Sequence, residues 1–386
     1  MAEAFWHPSP PCRVVSAFDP QQGPQDPPGQ GDQKNVEHSH MRKNTALPAV
    51  AAPTDDSEPA PRFLAIDSRE GVDEAPGLTA PRPRYRQRYL APRYWLTWLA
   101  LFLVRALTWL PLSLSRRIGR GLGWLLVRLM RERREVTDVN LALCMPELDA
   151  AARQRLVEAH FMAMGAGMFE AAFAWFASDA RIRRLSRIEG IEHLEAVHQQ
   201  GQGMLLLTGH FSWLELGARV LALQQPFHAM YRHVNNRLID DWMFSARWQR
   251  SGRLPLPKRD IKTLIRALRD GEAIWYAPDQ TLGREAGLFL PMFGQPVWTI
   301  TATARLAKLG RARVVPYFVT FENGKYVVTV QPALENFPSG DDAVDARRIN
   351  ELIETAALAS PQAYFWGHRR FKMRPPDFAD PYKDIR

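Results

Sequence analysis

Cysteine is scarce in this sequence. Cys12 and Cys144 are its only two in 386 residues, and they form no CxxC pair. That spacing excludes a disulfide framework and a cysteine-based zinc site, and it fits a reducing compartment. A signal peptide is not expected either, because the first residues lack a charged stretch followed by an apolar core. No internal repeat is evident. Acidic residues are missing from one long stretch: between Ala75 and Arg131 there is no Asp or Glu, but there are eleven arginines. Over the whole chain 50 Lys+Arg face 41 Asp+Glu. Such an excess points to an acidic or anionic partner, whether nucleic acid, a membrane surface or an acidic protein.

What is present divides the chain into four parts. Residues 1–85 hold fourteen of the 30 prolines, with Gln, Gly, Asp and Ser between them. They are expected to be a disordered, dispensable tail, and Met41 is an alternative start. Residues 86–115 contain an aromatic and apolar stretch, Tyr94 to Leu114. Its length suits a membrane span, and its tryptophans 95, 98 and 109 suit the interface. Arg105 near the centre argues against spanning, at roughly 2.5–3.5 kcal/mol on insertion scales. A membrane-anchoring segment is expected, spanning or lying deep in the interface; a buried amphipathic helix is the alternative. Residues 116–375 carry alternating strand and helix signals, and 376–386 form a C-terminal tail. The alternation predicts an α/β domain with a mixed or largely parallel central sheet flanked by helices.

The domain is organised around Gly203-Met-Leu-Leu-Leu-Thr-Gly-His210-Phe-Ser-Trp-Leu-Glu215. Met204 to Leu207 reads as a buried strand, broken by Thr208 and Gly209, and a helical pattern starts after His210. His210 is therefore expected at the carboxyl end of a strand, where ligands bind in open α/β sheets. Within one helix His210 and Glu215 would point about 140° apart. With His210 outside the helix they can converge, so that the carboxylate holds one imidazole nitrogen while the other accepts a proton. A lone His before a helix is also often a cap or core residue. Ala273 to Ala277 is a second strand, running into Pro278, Asp279 and Gln280. Helices are expected over Ile118 to Met130, Asp149 to Ala174, Asp260 to Arg269, Thr299 to Leu309 and Ala343 to Leu358. Asn140 to Glu147 reads as a turn and Gly287 to Gly294 as an apolar loop. Arg313 to Thr320 and Lys325 to Val330 read as a hairpin around Glu322-Asn-Gly324. The aromatic patch Phe169, Phe173, Trp175 and Phe176 reads as core or as the lining of an acyl groove.

An ordered set of pieces resembles the late acyltransferases of lipid A biosynthesis, the lauroyl/myristoyl transferase group related to the glycerolipid acyltransferases. The pieces are Pro92-Arg-Tyr-Trp-Leu-Thr-Trp98, Asn140-Leu-Ala-Leu-Cys with Pro146-Glu147, Gly209-His210-Phe-x3-Glu215-Leu-Gly-Ala-Arg219, Tyr231-Arg232 with Asn236 and Asp240, Arg247, Gly271 to Gln280, and His368-Arg369-Arg370-Phe371-Lys372. They span about residues 85 to 375. The family usually continues Pro-Asp-Gln with Asp-Tyr-Gly, and this chain has Thr281-Leu282-Gly283 instead, a departure that bears on acceptor or chain-length preference.

The resemblance implies an enzyme of the bacterial inner membrane, with its catalytic domain facing the cytoplasm. It would move an acyl group from acyl carrier protein to a hydroxyl of an anionic lipid A precursor, using no cofactor and no metal and binding no nucleic acid. It implies His210 as base with Glu215 as its orienting partner. Arg247 or the backbone near Gly209 would stabilise the oxyanion, and Asp279 would position Arg247 or the acceptor. Arg232, Asn236, Asp240, Arg369 and Arg370 would bind substrate, the arginines pairing with phosphate or carboxylate; the plain alternative for them is surface ion pairing. Lys258, Lys262, Arg266 and Arg269 share one helical face, with Ile261, Leu264, Ile265 and Leu268 opposite. They read as a solvated face, a contact for anionic headgroups or a docking strip for the acidic carrier. Two rival readings of the chain are a glycerol-phosphate acyltransferase, distinguished by assay with both acceptors, and a basic membrane-attached binding protein that would not need His210.

Overall fold

A computed structural model describes residues 87–280 and 286–385, and every structural statement concerns those residues. The Pro-rich tail expected over 1–85 lies outside them, as does the departure at Thr281 to Gly283. Helices α1 (Trp95–Leu107), α2 (Leu112–Leu129), α3 (Arg131–Cys144), α4 (Ala150–Phe176) and α5 (Asp179–Leu185) precede strand β1 (Ser186–Glu189). Then follow α6 (Glu192–Gln199), β2 (Met204–Leu207), α7 (Leu214–Leu221), β3 (His228–Tyr231), α8 (Arg237–Ser251), β4 (Leu256–Pro257), α9 (Ile261–Arg269) and β5 (Ala273–Tyr276). The chain continues through β6 (Gly287–Met292), β7 (Gln295–Ile300), α10 (Ala302–Gly310), β8 (Arg313–Glu322), β9 (Lys325–Val330) and α11 (Asp342–Ala359).

Seven strands form one sheet in the order β1-β9-β8-β2-β5-β3-β4. β8, β2, β5, β3 and β4 run parallel to one another. β9 turns back antiparallel to β8 and pairs in parallel with β1. The domain is thus an α/β fold with a mixed central sheet flanked by helices. Strands β2 and β5 are buried at all four positions, which explains why both read as continuous apolar runs. Because they are parallel neighbours, their carboxyl ends open on the same edge. The β8–β9 turn carries Asn323 and Gly324, both at positive φ (49° and 78°), the conformation of a type I′ hairpin turn.

Two local expectations need correction. Gly287 to Gly294 is not a loop: Gly287–Met292 pairs antiparallel with Gln295–Ile300, and Phe289 packs edge-on against Trp298 at 5.0 Å. The helix expected from Thr299 therefore begins at Ala302. Asn140 to Cys144 is not a turn but the end of α3. Asn140 is buried there because its amide nitrogen donates to the carbonyls of Trp366 (2.6 Å) and His368 (2.8 Å), and its oxygen accepts from the Tyr382 hydroxyl (2.5 Å).

The stretch expected as an anchor breaks at residues 108–111. Its first helix, α1, has 13 residues, about 20 Å at 1.5 Å per residue. No helix among the described residues is long and apolar enough to cross a membrane. α1 has no buried residue; Trp95, Leu96, Leu99, Phe102 and Leu103 are exposed on it, and Leu114, Ile118, Trp124, Leu125 and Leu129 on α2. The opposite face of α2 is small: Ser115, Gly119, Gly123 and Val127 are buried. A Cβ on Gly123 would sit 2.1 Å from the Phe161 carbonyl oxygen of α4, and one on Gly165 of α4 would sit 2.2 Å from that of Gly119. The two helix backbones touch because neither carries a side chain at the crossing.

Candidate active site

His210 lies three residues beyond β2, and Asp279 lies three beyond β5. Parallel pairing of these strands brings the two together. His210 Nδ1 is 2.5 Å from Asp279 Oδ1, and the His210 backbone N–H donates to Asp279 Oδ2 at 2.9 Å. Gly209 makes room for this clasp, since a Cβ there would meet Ile353 and Phe211 at 3.1 Å. Burial pushes the Asp279 carboxyl up, but the His210 charge and the two hydrogen bonds outweigh it and hold it below its ordinary range. An ionised carboxylate only accepts, so Nδ1 carries the hydrogen of this bond, and in the neutral ring Nε2 is the nitrogen with the lone pair. The His210 side chain remains partly exposed while that of Asp279 is buried.

Glu215 occupies a different position from the one expected. It sits in the first turn of α7 and faces α8 and α4. Arg247 donates to Glu215 Oε1 through both Nε, at 3.1 Å, and Nη2. The Trp175 indole donates to Oε2 at 3.1 Å. The carboxylate bonded to His210 is therefore Asp279, and Glu215 holds Arg247; this corrects the expected pairing of Glu215 with His210, and of Asp279 with Arg247 or the acceptor. The Arg247 guanidinium lies 5.1 Å above the ring of Trp275, on β5, which ties the second ion pair to the strand that carries Asp279.

Of the residues expected to bind substrate, Arg232 is exposed in the loop after β3. The others carry intramolecular bonds. Asn236 caps α8 through the Leu238 and Ile239 N–H groups and donates to Thr97 of α1 at 3.0 Å. Asp240 holds His233 Nδ1 at 2.6 Å and the Val234 N–H at 2.9 Å. Arg369 pairs with Glu132 at 3.2 Å. Arg370 is buried and donates to the Trp298 carbonyl at 2.7 Å. These bonds fix the loop after β3, the seat of α1 and the C-terminal segment. Lys262, Arg266 and Arg269 line the exposed face of α9, Leu264 and Leu268 its buried face, and Ile261, expected on the apolar face, is exposed. Lys258, expected on the same helical face, lies before α9 instead; it follows β4, so it lies at the same sheet edge as His210, and α9 runs from there towards the opposite edge.

Three site neighbours were not among the expected site residues. Trp175 belongs to an aromatic patch that looked like core or groove, and its indole N–H is what singles it out. Tyr364 and His368 line a small cavity beside Asp279 and Gln280. Burial and the nearby Asp279 charge push the Tyr364 phenol well above its ordinary value. Burial, with Arg370 and Lys372 close by, pushes His368 down to about 4, so this imidazole is neutral. The run Tyr364-Phe-Trp-Gly-His368 offered its mixture of aromatic and polar types as a signal, and His368 also opens the piece His368-Arg369-Arg370-Phe371-Lys372 that carries the resemblance.

The profile of the bacterial lipid A biosynthesis acyltransferases matches residues 82–373. The chain is 38% identical over 296 residues to the lipid A biosynthesis lauroyltransferase of Escherichia coli K12, covering 76% of this chain and 96% of that one. It is 35% identical over 299 residues to a lipid A biosynthesis acyltransferase of Haemophilus influenzae, covering 76% and 95%. With the lipid A biosynthesis palmitoleoyltransferase of E. coli K12 it shares 32% over 298 residues, 76% of this chain and 97% of that one.

Proposed function

The chain belongs to the bacterial lipid A biosynthesis acyltransferase family, and from that premise we propose that it transfers a fatty acyl group from acyl carrier protein to a hydroxyl of a lipid A precursor. His210 Nε2 takes the proton of the acceptor hydroxyl as the oxygen attacks the thioester carbonyl. Asp279 holds Nδ1–H and stabilises the imidazolium that forms. The tetrahedral intermediate collapses by breaking the carbon–sulfur bond, and the thiolate leaves on the carrier with the proton from His210. Arg247, fixed by Glu215, supplies positive charge for the oxyanion, and the backbone near Gly209 is a second donor candidate. Glu215 and Trp175 act through Arg247.

The enzyme works at the inner membrane with its catalytic edge towards the cytoplasm. Exposed tryptophans and leucines on α1 and α2, in a stretch free of acidic residues, support an interfacial anchor that lies in one leaflet. The acidic carrier docks on the exposed basic face of α9, nearest His210 at its Lys258–Lys262 end. The observation that carries the catalytic reading is the clasp of His210 by Asp279 at two adjacent strand ends. With acyl carrier protein as donor and a lipid A precursor as acceptor, purified His210→Ala should lose turnover while keeping its circular dichroism spectrum and melting temperature. Turnover near the parent rate in a folded His210→Ala protein would end this reading.

A further inference from the structure

Four arginines from four helices lie around the end of α4 and the start of α5, and two of them, Arg219 and Arg250, meet at Asp179. Arg105 of α1 lies 5.2 Å over the ring of Phe176. Arg181 of α5 donates to the carbonyls of Thr108 and Leu110, in the break between α1 and α2. Arg219 of α7 pairs with Asp179 through Nη2. Arg250 of α8 donates to the Trp175 carbonyl at 3.1 Å and reaches Asp179 at 3.8 Å.

The charges do not balance. Among the described residues, Asp179 is the carboxylate that pairs with members of this group, and two guanidiniums share it. Arg219 is 4% exposed and Asp179 is 62% exposed, so a deeply buried cation leans on a carboxylate that stands mostly in water. The Arg219 Nε is buried with no acceptor. Burial and the neighbouring Arg219 push the Arg250 guanidinium down, and burial with Arg184 does the same to Arg181. A buried guanidinium with an unmet donor is costly unless a further acceptor arrives.

The place matters as much as the charge. Arg181 grips the break that carries Trp109, a side chain 72% exposed, beside the apolar faces of α1 and α2. Arg250 lies three residues from Arg247 on α8, so the cluster adjoins the site on one side and the apolar surface on the other. We propose that Arg219 and Arg250 form a binding site for a phosphate monoester carried by a membrane lipid, with Asp179 holding the site until the phosphate displaces it and with Arg105 and Arg181 bordering it. Guanidinium forks match phosphate oxygens in geometry and charge. A phosphorylated acceptor and phosphatidic acid in a bilayer both offer this chemistry. The acceptor alternative rests on the function proposed above; phosphate binding itself does not.

The test uses the full-length protein and vesicles of phosphatidylcholine with or without a minor fraction of phosphatidic acid. The parent should bind the phosphatidic acid vesicles more tightly. Arg250→Gln should reduce that preference by about tenfold, the worth of one charge-assisted pair, while binding to pure phosphatidylcholine persists. Asp179→Asn changes an exposed residue, so it should fold, and it should strengthen the preference by removing the competing carboxylate. Turnover then identifies the source. If Arg250→Gln also raises KM for the phosphorylated acceptor with little change in kcat, the site receives the acceptor phosphate; if KM stays put while the vesicle preference is lost, it receives a bilayer headgroup. An unchanged preference in Arg250→Gln, or a weaker one in Asp179→Asn, overturns the proposal. The vesicle arm involves no turnover, so its failure is separable from failure of the catalytic reading.

Discussion

His210 was legible as a strand-end residue because an apolar run stops three residues before it and a helical pattern starts after it. Its partner was not. A carboxylate five residues away looks like a partner in one dimension, but Asp279 is nearer in space because β2 and β5 are neighbours, and strand order is not written in local spacing. Glu215 looked free to reach His210 for the same reason; its bonds to Arg247 and Trp175 depend on how α8 and α4 pack over α7. Another histidine shows the energetic side of burial. Burial pushes the His160 imidazole from its ordinary 6.5 down to about 4. The unfolded chain takes up that proton first, so the stability is fully present above about pH 6.5 and is lost as pH falls towards 4. At about 1.4 kcal/mol per unit the loss is on the order of 3 kcal/mol. Denaturant titrations from pH 7 to 4.5 should show a shallower pH dependence in His160→Gln than in the parent. Equal slopes in the two proteins would contradict neutral burial of this ring.

At the scale of elements, periodicity found what solvent and burial had written plainly. The buried strands β2 and β5, the β8–β9 hairpin and the amphipathic α9 all stand close to where their patterns place them. It failed where one residue type serves an unusual purpose. Asn140 broke the apolar pattern of α3 because its side chain satisfies two buried carbonyls and a phenol. The helical pattern of α2 does not show what its glycines are for, and Gly119 and Gly123 are the face on which α4 rests. Adding a methyl at Gly123 forces it against the α4 backbone, whereas Gly121 has nothing within 4 Å. Gly123→Ala should therefore destabilise by roughly 1–3 kcal/mol, the usual range for overpacking. Gly121→Ala should be neutral or raise stability by up to about 1 kcal/mol through helix propensity. Thermal unfolding of the pair decides this, and a Gly123→Ala protein as stable as the parent would contradict the close crossing.

For the whole molecule, the proposed function asks the His210 edge of the sheet, the exposed apolar helices and the basic face of α9 to serve one reaction between a soluble carrier and a lipid. The aromatic run predicts membrane contact from composition alone; its break at residues 108–111, which composition does not show, shortens α1 to 13 residues. Carrier docking through exposed charges should act on encounter and weaken with salt. Lys258→Glu with Lys262→Glu should raise KM for acyl carrier protein more than Arg266→Glu with Arg269→Glu does, because α9 leads away from the His210 edge. Vesicle binding should persist in both, since the apolar faces of α1 and α2 are intact. Equal effects of the two pairs, or loss of membrane attachment, would count against carrier docking at that end.

The arrangement of His210 on Asp279, with Glu215 serving Arg247, bears most directly on how the acyl group moves. Asp279→Asn keeps the shape of the clasp but removes the charge that fixes the Nδ1–H tautomer and stabilises the imidazolium, so kcat should fall by roughly 10²–10⁴-fold. The decisive measurement is kcat of folded, purified Asp279→Asn with carrier-bound donor and lipid A precursor, beside the double variant Asp279→Asn with His210→Ala. The predicted result is that loss, with the double variant no slower than His210→Ala alone, as expected for residues acting as one unit. An Asp279→Asn enzyme turning over at close to the parent rate would contradict it.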